Sequence, residues 1–240
     1  VYDGKVAMPT FSIIIATAAP AGQAVEAGGA YVKIDGREAL LRSVELFLNR
    51  DAVKQIHVVV LPDDIEEAKR KYGPHLSFSG VKLQSGGPRW SDQLAAASAK
   101  IDPEATHVVI HDAARPLVPY SDIDALFDSA TKGNSDAVAL TSPVRSELIQ
   151  VDDTGHALHH WRSDEFVQLL TPQLYSKELF LLSAARGEPL PLAHATLLKG
   201  SPLNQRIRGS SDASLAKAMM GLLPRPKAKP LSNPFEEAQW

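Results

Sequence analysis

The chain has 240 residues, 44% hydrophobic and 22% charged, with a formal net charge of −3. That is the size and balance of one α/β domain with a full core. The mild negative charge and the lack of a long basic block exclude a nucleic-acid binder held by phosphate contacts. The absence of cysteine excludes thiol catalysis, disulfides and cysteine-based zinc sites, and it fits a cytoplasmic protein. No apolar run approaches the length of a membrane span, and Val1 to Thr10 carry no signal-peptide pattern.

In chain order, strand patterns alternate with helix patterns. Phe11 to Ala16 is a continuous apolar run, the pattern of a strand buried on both faces. Leu40 to Leu48 has helical spacing, Gln55 to Leu61 reads as a strand, and Asp63 to Tyr72 as a polar, capped helix. Val81 to Gln84 is a short strand and Ser91 to Lys100 an Ala-rich helix. Thr106 to His111 is a strand, Ser121 to Thr131 a helix with a Ser cap, and Asp136 to Thr141 another strand. The alternation predicts a mainly parallel sheet with helices on both faces.

After Pro143 the pattern changes. Glu147 to Val151 and His156 to His160 flank Asp152-Asp153-Thr154-Gly155, which reads as a hairpin with Gly in its turn. Such an insertion projects from a doubly wound domain, either as a dimer arm or as a cover for its own sheet. Helices follow at Ser176 to Ala185 and Ser210 to Met220, and residues 224–240 read as a tail outside the core. Residues 1–223 then form one domain, with the arm at about 143–165.

The stretch His111-Asp112-Ala113-Ala114-Arg115-Pro116 puts a carboxylate at the carboxyl end of a buried strand. In open parallel sheets that edge is where ligands bind. Small residues follow, which let a ligand approach the backbone, and then the cationic fork of Arg115. On this run the chain resembles the methylerythritol phosphate cytidylyltransferase family. Further landmarks of the resemblance are Ser12-Ile13-Ile14-Ile15-Ala16, Tyr31-Val32-Lys33-Ile34-Asp35-Gly36, Gly86-Gly87-Pro88-Arg89, Pro143-Val144, Val151-Asp152 with Gly155, and Thr171-Pro172-Gln173. The resemblance implies a Rossmann-like nucleotidyltransferase fold and a homodimer joined by the arm. It also implies the reaction of CTP with methylerythritol phosphate to give cytidine-diphospho-methylerythritol and pyrophosphate, with Mg2+.

Carried over residue by residue, the resemblance implies catalytic roles for Asp112 and Arg115, with Asp112 as the Mg2+ ligand. It implies nucleotide contacts at Ala16, Ala18, Gly22, Gly29, Gly86, Gly87, Ser91 and Asp92, and contacts from a partner's arm at Arg162 and Ser163. From the residues themselves, Asp112 reads equally as a metal or sugar ligand and as a loop carboxylate. Arg115 reads as a phosphate ligand or a loop brace, and Asp92 as a base contact or a first-turn helix acid. His107, His111, His159, His160 and His194 show no metal-ligand spacing.

The chain departs from the family in its cations. The family carries an Arg and a Lys in the loop after the first strand. Here those positions fall on Gly22 and Gly29, and no Lys or Arg stands between Ala16 and Tyr31. Pro20 removes a backbone donor. The arm's Asp-Arg pair falls on Arg162-Ser163, the Thr and Lys at its base on Glu147 and Ile149, and a late Lys on Ile207. Arg206 and Arg208 flank Ile207 and are expected to face the other way. One transition-state cation contributes about 3–4 kcal/mol. Two readings therefore stand, a cytidylyltransferase with a rewired loop and a non-catalytic dimeric relative that binds or interacts. A dinucleotide-binding dehydrogenase fails, because no Gly-x-Gly-x-x-Gly follows the first strand.

Overall fold

The computed structural model describes residues 8–20, 28–133 and 135–224. In chain order its elements are β1 (Phe11–Ala16), β2 (Lys33–Ile34), β3 (Arg37–Glu38), α1 (Ala39–Glu45), β4 (Val53–Val60), α2 (Ile65–Phe78), β5 (Lys82–Ser85) and α3 (Trp90–Ser98). Then come β6 (His107–Asp112), α4 (Tyr120–Thr131), β7 (Ala137–Pro143), β8 (Leu148–Val151), β9 (Ala157–Trp161), β10 (Val167–Ser176), α5 (Lys177–Arg186), β11 (Thr196–Lys199) and α6 (Ala213–Met220). Seven strands form one sheet in the order β11-β7-β10-β6-β1-β4-β5. The pairs β1–β4, β1–β6, β4–β5 and β7–β11 are parallel.

The period-2 alternation of β1 divides the core. Phe11, Ile13 and Ile15 pack with Leu40, Val44, Leu76, Ile123 and Leu126, from α1, α2 and α4. Ile14 turns to the other face and packs with Leu94, Ala97 and Phe180, from α3 and α5. Every side chain of β1 is buried, each large one stabilising the fold by about 1.5–3 kcal/mol. Helices therefore cover both faces, as the alternation predicts.

Besides the two-residue strands β2 and β3, two strands of the main sheet have no counterpart in the sequence reading. β10 lies between β6 and β7 and runs antiparallel to both. Pro172 in its middle argues against a central strand, but the register against β7 slips between Leu169 and Gln173. A bulge is one of the few places a sheet accommodates proline. β11 is four residues at the sheet edge, too short for a periodic signal. The Ser cap expected at Ser121 is not used, because α4 begins one residue earlier with Pro119 as its N-cap. α2 runs on past Tyr72 to Phe78.

β8 and β9 pair antiparallel as a separate ribbon. Its turn is held by Asp152 Oδ1, which accepts from the N–H groups of Thr154 and His156. Gly155 there has φ +87°, a conformation that favours glycine. The ribbon leaves Ile149, Val151, Leu158 and Trp161 exposed. Of the expected tail, residues 225–240 lie outside the described residues.

Candidate functional site

The site lies at the carboxyl ends of β1 and β6. Register places Ala16 beside Asp112, and the Ala113 N–H donates to Ala16 O at 2.9 Å. The chain turns sharply after Asp112 because that carboxylate holds the turn. Its Oδ1 accepts the Ala114 N–H at 2.9 Å. Behind it His111 is fully buried, with Nδ1 3.2 Å from Thr171 Oγ1 and Nε2 3.1 Å from Arg115 O. Burial, followed by the Arg115 charge, pushes the His111 imidazole down to about 3. His111 is thus a neutral brace for the turn.

Asp112 is completely buried. Its Oδ2 accepts from Arg206 Nε at 2.7 Å and lies 3.8 Å from Arg115 Nε. Burial raises the carboxyl above the ordinary carboxylate range, while the Arg206 charge, the Ala114 N–H and the Arg115 charge pull it back. In either protonation state of Asp112 the cluster is net positive, because both guanidiniums stay charged. Arg115 also donates from Nη1 to Asn204 O at 2.9 Å, and Asn204 Nδ2 donates to Thr171 O at 2.8 Å.

Three polar atoms in this cluster are buried without a hydrogen-bond partner: Arg115 Nε, Arg206 Nη1 and Asn204 Oδ1. All three residues line one cavity of about 620 Å3, together with Gln168, Leu169, Arg208, Leu215 and Met219. Buried donors without a hydrogen-bond partner are costly in isolation, and two guanidiniums share a single carboxylate here.

The facing expected for the last loop is reversed. Ile207 is buried among Ile34, Ala39, Leu117 and Ala216. Its N–H donates to Ala114 O at 2.7 Å. Arg206, expected to point away, is the residue that reaches Asp112. A run of arginine, isoleucine and arginine gives no facing by itself. The pairing of Ile207 with the turn after β6 decides it.

The nucleotide-side residues are arranged differently. Ala16 and Ala18 are buried. The N–H groups of Thr17 and Ala18 both donate to Gln93 Oε1, at 2.9 and 3.1 Å. Gln93 is fully buried and is absent from the sequence-derived set. Its one signal is a polar residue on the helix face that also carries Leu94 and Ala97. Gly86 sits against Val59 and Gln93, and Gly87 against the Asp92 carboxylate. Asp92 caps α3, accepting from the Arg89 N–H and, through both oxygens, from the Arg89 guanidinium at 2.8–3.2 Å. Hydrogen bonding from that side chain holds its carboxyl below the usual range. Asp92 is thus a first-turn acid. Ser91 lines a separate apolar pocket with Pro20, Trp90 and Tyr175.

Gly29 is in close contact with the last loop. A Cβ there would stand 2.0 Å from Ile207 O and 3.3 Å from Ala114 Cβ. On this backbone no lysine fits the position. Gly22 lies outside the described residues. Arg162 and Ser163 stand at the base of the ribbon, away from Asp112. Arg162 is exposed and donates to Asp164 at 2.6 and 3.1 Å.

The donor set does not fit Mg2+ at Asp112. One oxygen is taken by an N–H and the other by a guanidinium. Among the described residues no group of three acidic or histidine side chains could complete a shell.

A family model described as 2-C-methyl-D-erythritol 4-phosphate cytidylyltransferase matches residues 12–196. The protein of that name from Rhodococcus jostii is 28% identical over 221 residues, covering 86% of this chain and 95% of the relative. The bifunctional enzyme IspD/IspF of Rhizobium leguminosarum bv. trifolii is 28% identical over 221 residues, covering 85% of this chain. The chain spans 54% of that longer relative. The solved 4-diphosphocytidyl-2C-methyl-D-erythritol synthase of Anaerococcus prevotii superposes with a TM-score of 0.70 at 17% identity, covering 89% of this chain and 96% of that one. At that identity the likeness speaks for the fold.

Proposed function

The chain belongs to the 2-C-methyl-D-erythritol 4-phosphate cytidylyltransferase family, and from that premise we propose that it binds a phosphate ester without transferring a cytidylyl group. One observation carries the reading. Arg115 and Arg206 converge on one buried carboxylate oxygen and both line a cavity of about 620 Å3. Guanidiniums suit phosphate oxygens through parallel charge-assisted bonds. Asn204 Oδ1 is an acceptor for a hydroxyl on the same ligand.

The other half of the reaction lacks its machinery. Nucleotidyl transfer needs cations on a developing pyrophosphate. No Lys or Arg stands between Ala16 and Tyr31, and the backbone donors of Thr17 and Ala18 are taken by Gln93. Mg2+ would have to arrive wholly with a nucleotide, because Asp112 is engaged.

A second reading, CTP turnover, is favoured by the intact His111 to Pro116 corner beside Ala16. The test is pyrophosphate release from CTP, methylerythritol phosphate and Mg2+, alongside calorimetric titration of methylerythritol phosphate alone. The expected result is binding of the phosphate ester and no release. Turnover at any rate set by enzyme concentration overturns the proposal in favour of the second reading.

The exposed apolar ribbon supports a homodimer formed through the arm. Deleting residues 150–158 should convert a dimeric mass in solution to a monomeric one, and an unchanged mass refutes the arm's role. No described helix is long and apolar enough to cross a membrane, and the cysteine-free composition suits the cytoplasm.

A further inference from the structure

The main sheet ends at β5, which pairs with β4 on one side and with no described strand on the other. This edge is at the opposite end of the sheet from β7, where the arm departs. Gly86, just past the strand, donates its N–H to Val60 O at 2.9 Å. Backbone groups alternate in direction along a strand. Those of residues 82 and 84 therefore turn to β4 with Gly86, and those of Leu83 and Ser85 turn outward, where no described strand meets them. Residues 82–84 all border one groove of about 440 Å3. Side chains from both faces of a strand border a single groove only where the edge between them is open to it.

The banks of the groove leave room for a chain. On α2 they are Lys69, Gly73 and Ser77, four residues apart on one helix face. A Cβ at Gly73 would meet nothing within 4 Å, and with Ser77 it keeps this bank low. Lys100 borders the other side. Lys82 stands in register with His57, whose Nε2 lies 3.1 Å from Lys100 O, so both lysines stand on the α3 side of the edge. Lys69 pairs with Glu66 at 2.7 Å. Lys82 and Lys100 are exposed and form no ion pair among the described residues.

We propose that β5 is a docking edge that takes an acidic extended segment of another protein as an added strand. The outward N–H and C=O groups of Leu83 and Ser85 supply the main-chain bonds, and Lys82 and Lys100 select the sign of the partner. Lysines on an edge oppose pairing with a second copy of the same edge, since like charges would then face each other. A segment with carboxylates at alternate positions turns that repulsion into attraction on the α3 side.

The test is fluorescence anisotropy of two labelled hexapeptides against the full chain. One carries Glu at alternate positions among Val and Thr, and the other carries Lys in place of Glu. The acidic peptide should bind, less tightly at high salt, and the basic one should not. Reversing both charges, Lys82→Glu with Lys100→Glu, should weaken the acidic peptide on the order of tenfold. Ser85→Pro removes one outward N–H and no bond to β4, and should weaken it about fivefold at unchanged charge. Hydrogen exchange on the parent chain reads the edge without a variant: the Leu83 and Ser85 amides should slow when the acidic peptide is bound. Failure of the acidic peptide to bind overturns the proposal and leaves the lysines as guards of a closed edge. Binding without slowing at those two amides also overturns it, because charge alone then holds the peptide. Equal binding of the two peptides overturns the selection by Lys82 and Lys100.

Discussion

The two halves of the candidate site differ in how completely their polar groups are matched. On the nucleotide side the first-loop donors and the helix acid have partners within the chain. Thr17 and Ala18 are bonded to Gln93, Asp92 to Arg89, and Gly29 is pressed against Ile207. On the other side, two buried guanidiniums share one carboxylate and both line a cavity. A matched surface gains little from a ligand, because each new bond replaces an old one. A surface with surplus charge gains a great deal. The contrast is what the proposed phosphate-ester site rests on.

The largest expected effect comes from removing the carboxylate that Arg115 and Arg206 share. Asp112→Ala leaves Arg115 and Arg206 buried without a counter-charge, and breaking such a cluster costs about 3–5 kcal/mol. Urea denaturation should show that loss, and added inorganic phosphate should recover part of it. A variant as stable as the parent would mean that the guanidiniums are solvated and the two halves do not differ.

A smaller effect is expected on the matched half. Gly29→Ala drives a Cβ into Ile207 O, and overpacking of this kind costs about 1–3 kcal/mol. Gly36→Ala, where a Cβ meets nothing but φ is +79°, serves as the control for backbone strain alone. A Gly29→Ala midpoint equal to that of the parent would show that the last loop yields freely, and that the nucleotide half is loose rather than closed.

The most gradual effect is a pH dependence at the turn between the halves. The His111 imidazole lies at about 3 in the fold, against about 6.5 in an unfolded chain. Between those values the unfolded state binds a proton that the folded state does not. Stability therefore falls as pH falls through that window, by up to about 1.4 kcal/mol per unit. Urea midpoints measured from pH 7 to pH 5 should decline, and His111→Gln should flatten the decline. The buried His57, also pushed down by desolvation, adds a contribution of the same sign that remains in the variant. A slope unchanged in His111→Gln would show that His111 is hydrated.

The sequence made most of the frame legible, because β-branched runs and helical spacing report burial directly. Phe11 to Ala16 and Thr106 to His111 are strands on those grounds, and Ser176 caps α5 with its hydroxyl as its residue type suggests. β10 was hidden because Pro172 speaks against a strand, and only the bulge reconciles the two. At the site, Asp112 and Arg115 stood out by position and charge. Arg206 was read as facing away, because alternation in a short run has no phase until a neighbour sets it. Here Ala114 O, bonded to the Ile207 N–H, sets the phase. Asn204 carries no local signal and Gln93 only its polarity on an apolar helix face, since their roles are hydrogen bonds to residues more than thirty positions away.

The contact between Gly29 and Ile207 also bears on history. A side chain at Gly29 requires the last loop to move, and the last loop is fixed by the Ile207 N–H on Ala114 and by Arg206 on Asp112. Return of a cation at position 29 therefore needs at least one earlier change in residues 204–208, and that change alone would disturb a cluster that is already formed. The order of mutational steps is constrained in one direction. A lysine at position 29 is thus reached only through less stable intermediates, so the packing acts as a ratchet.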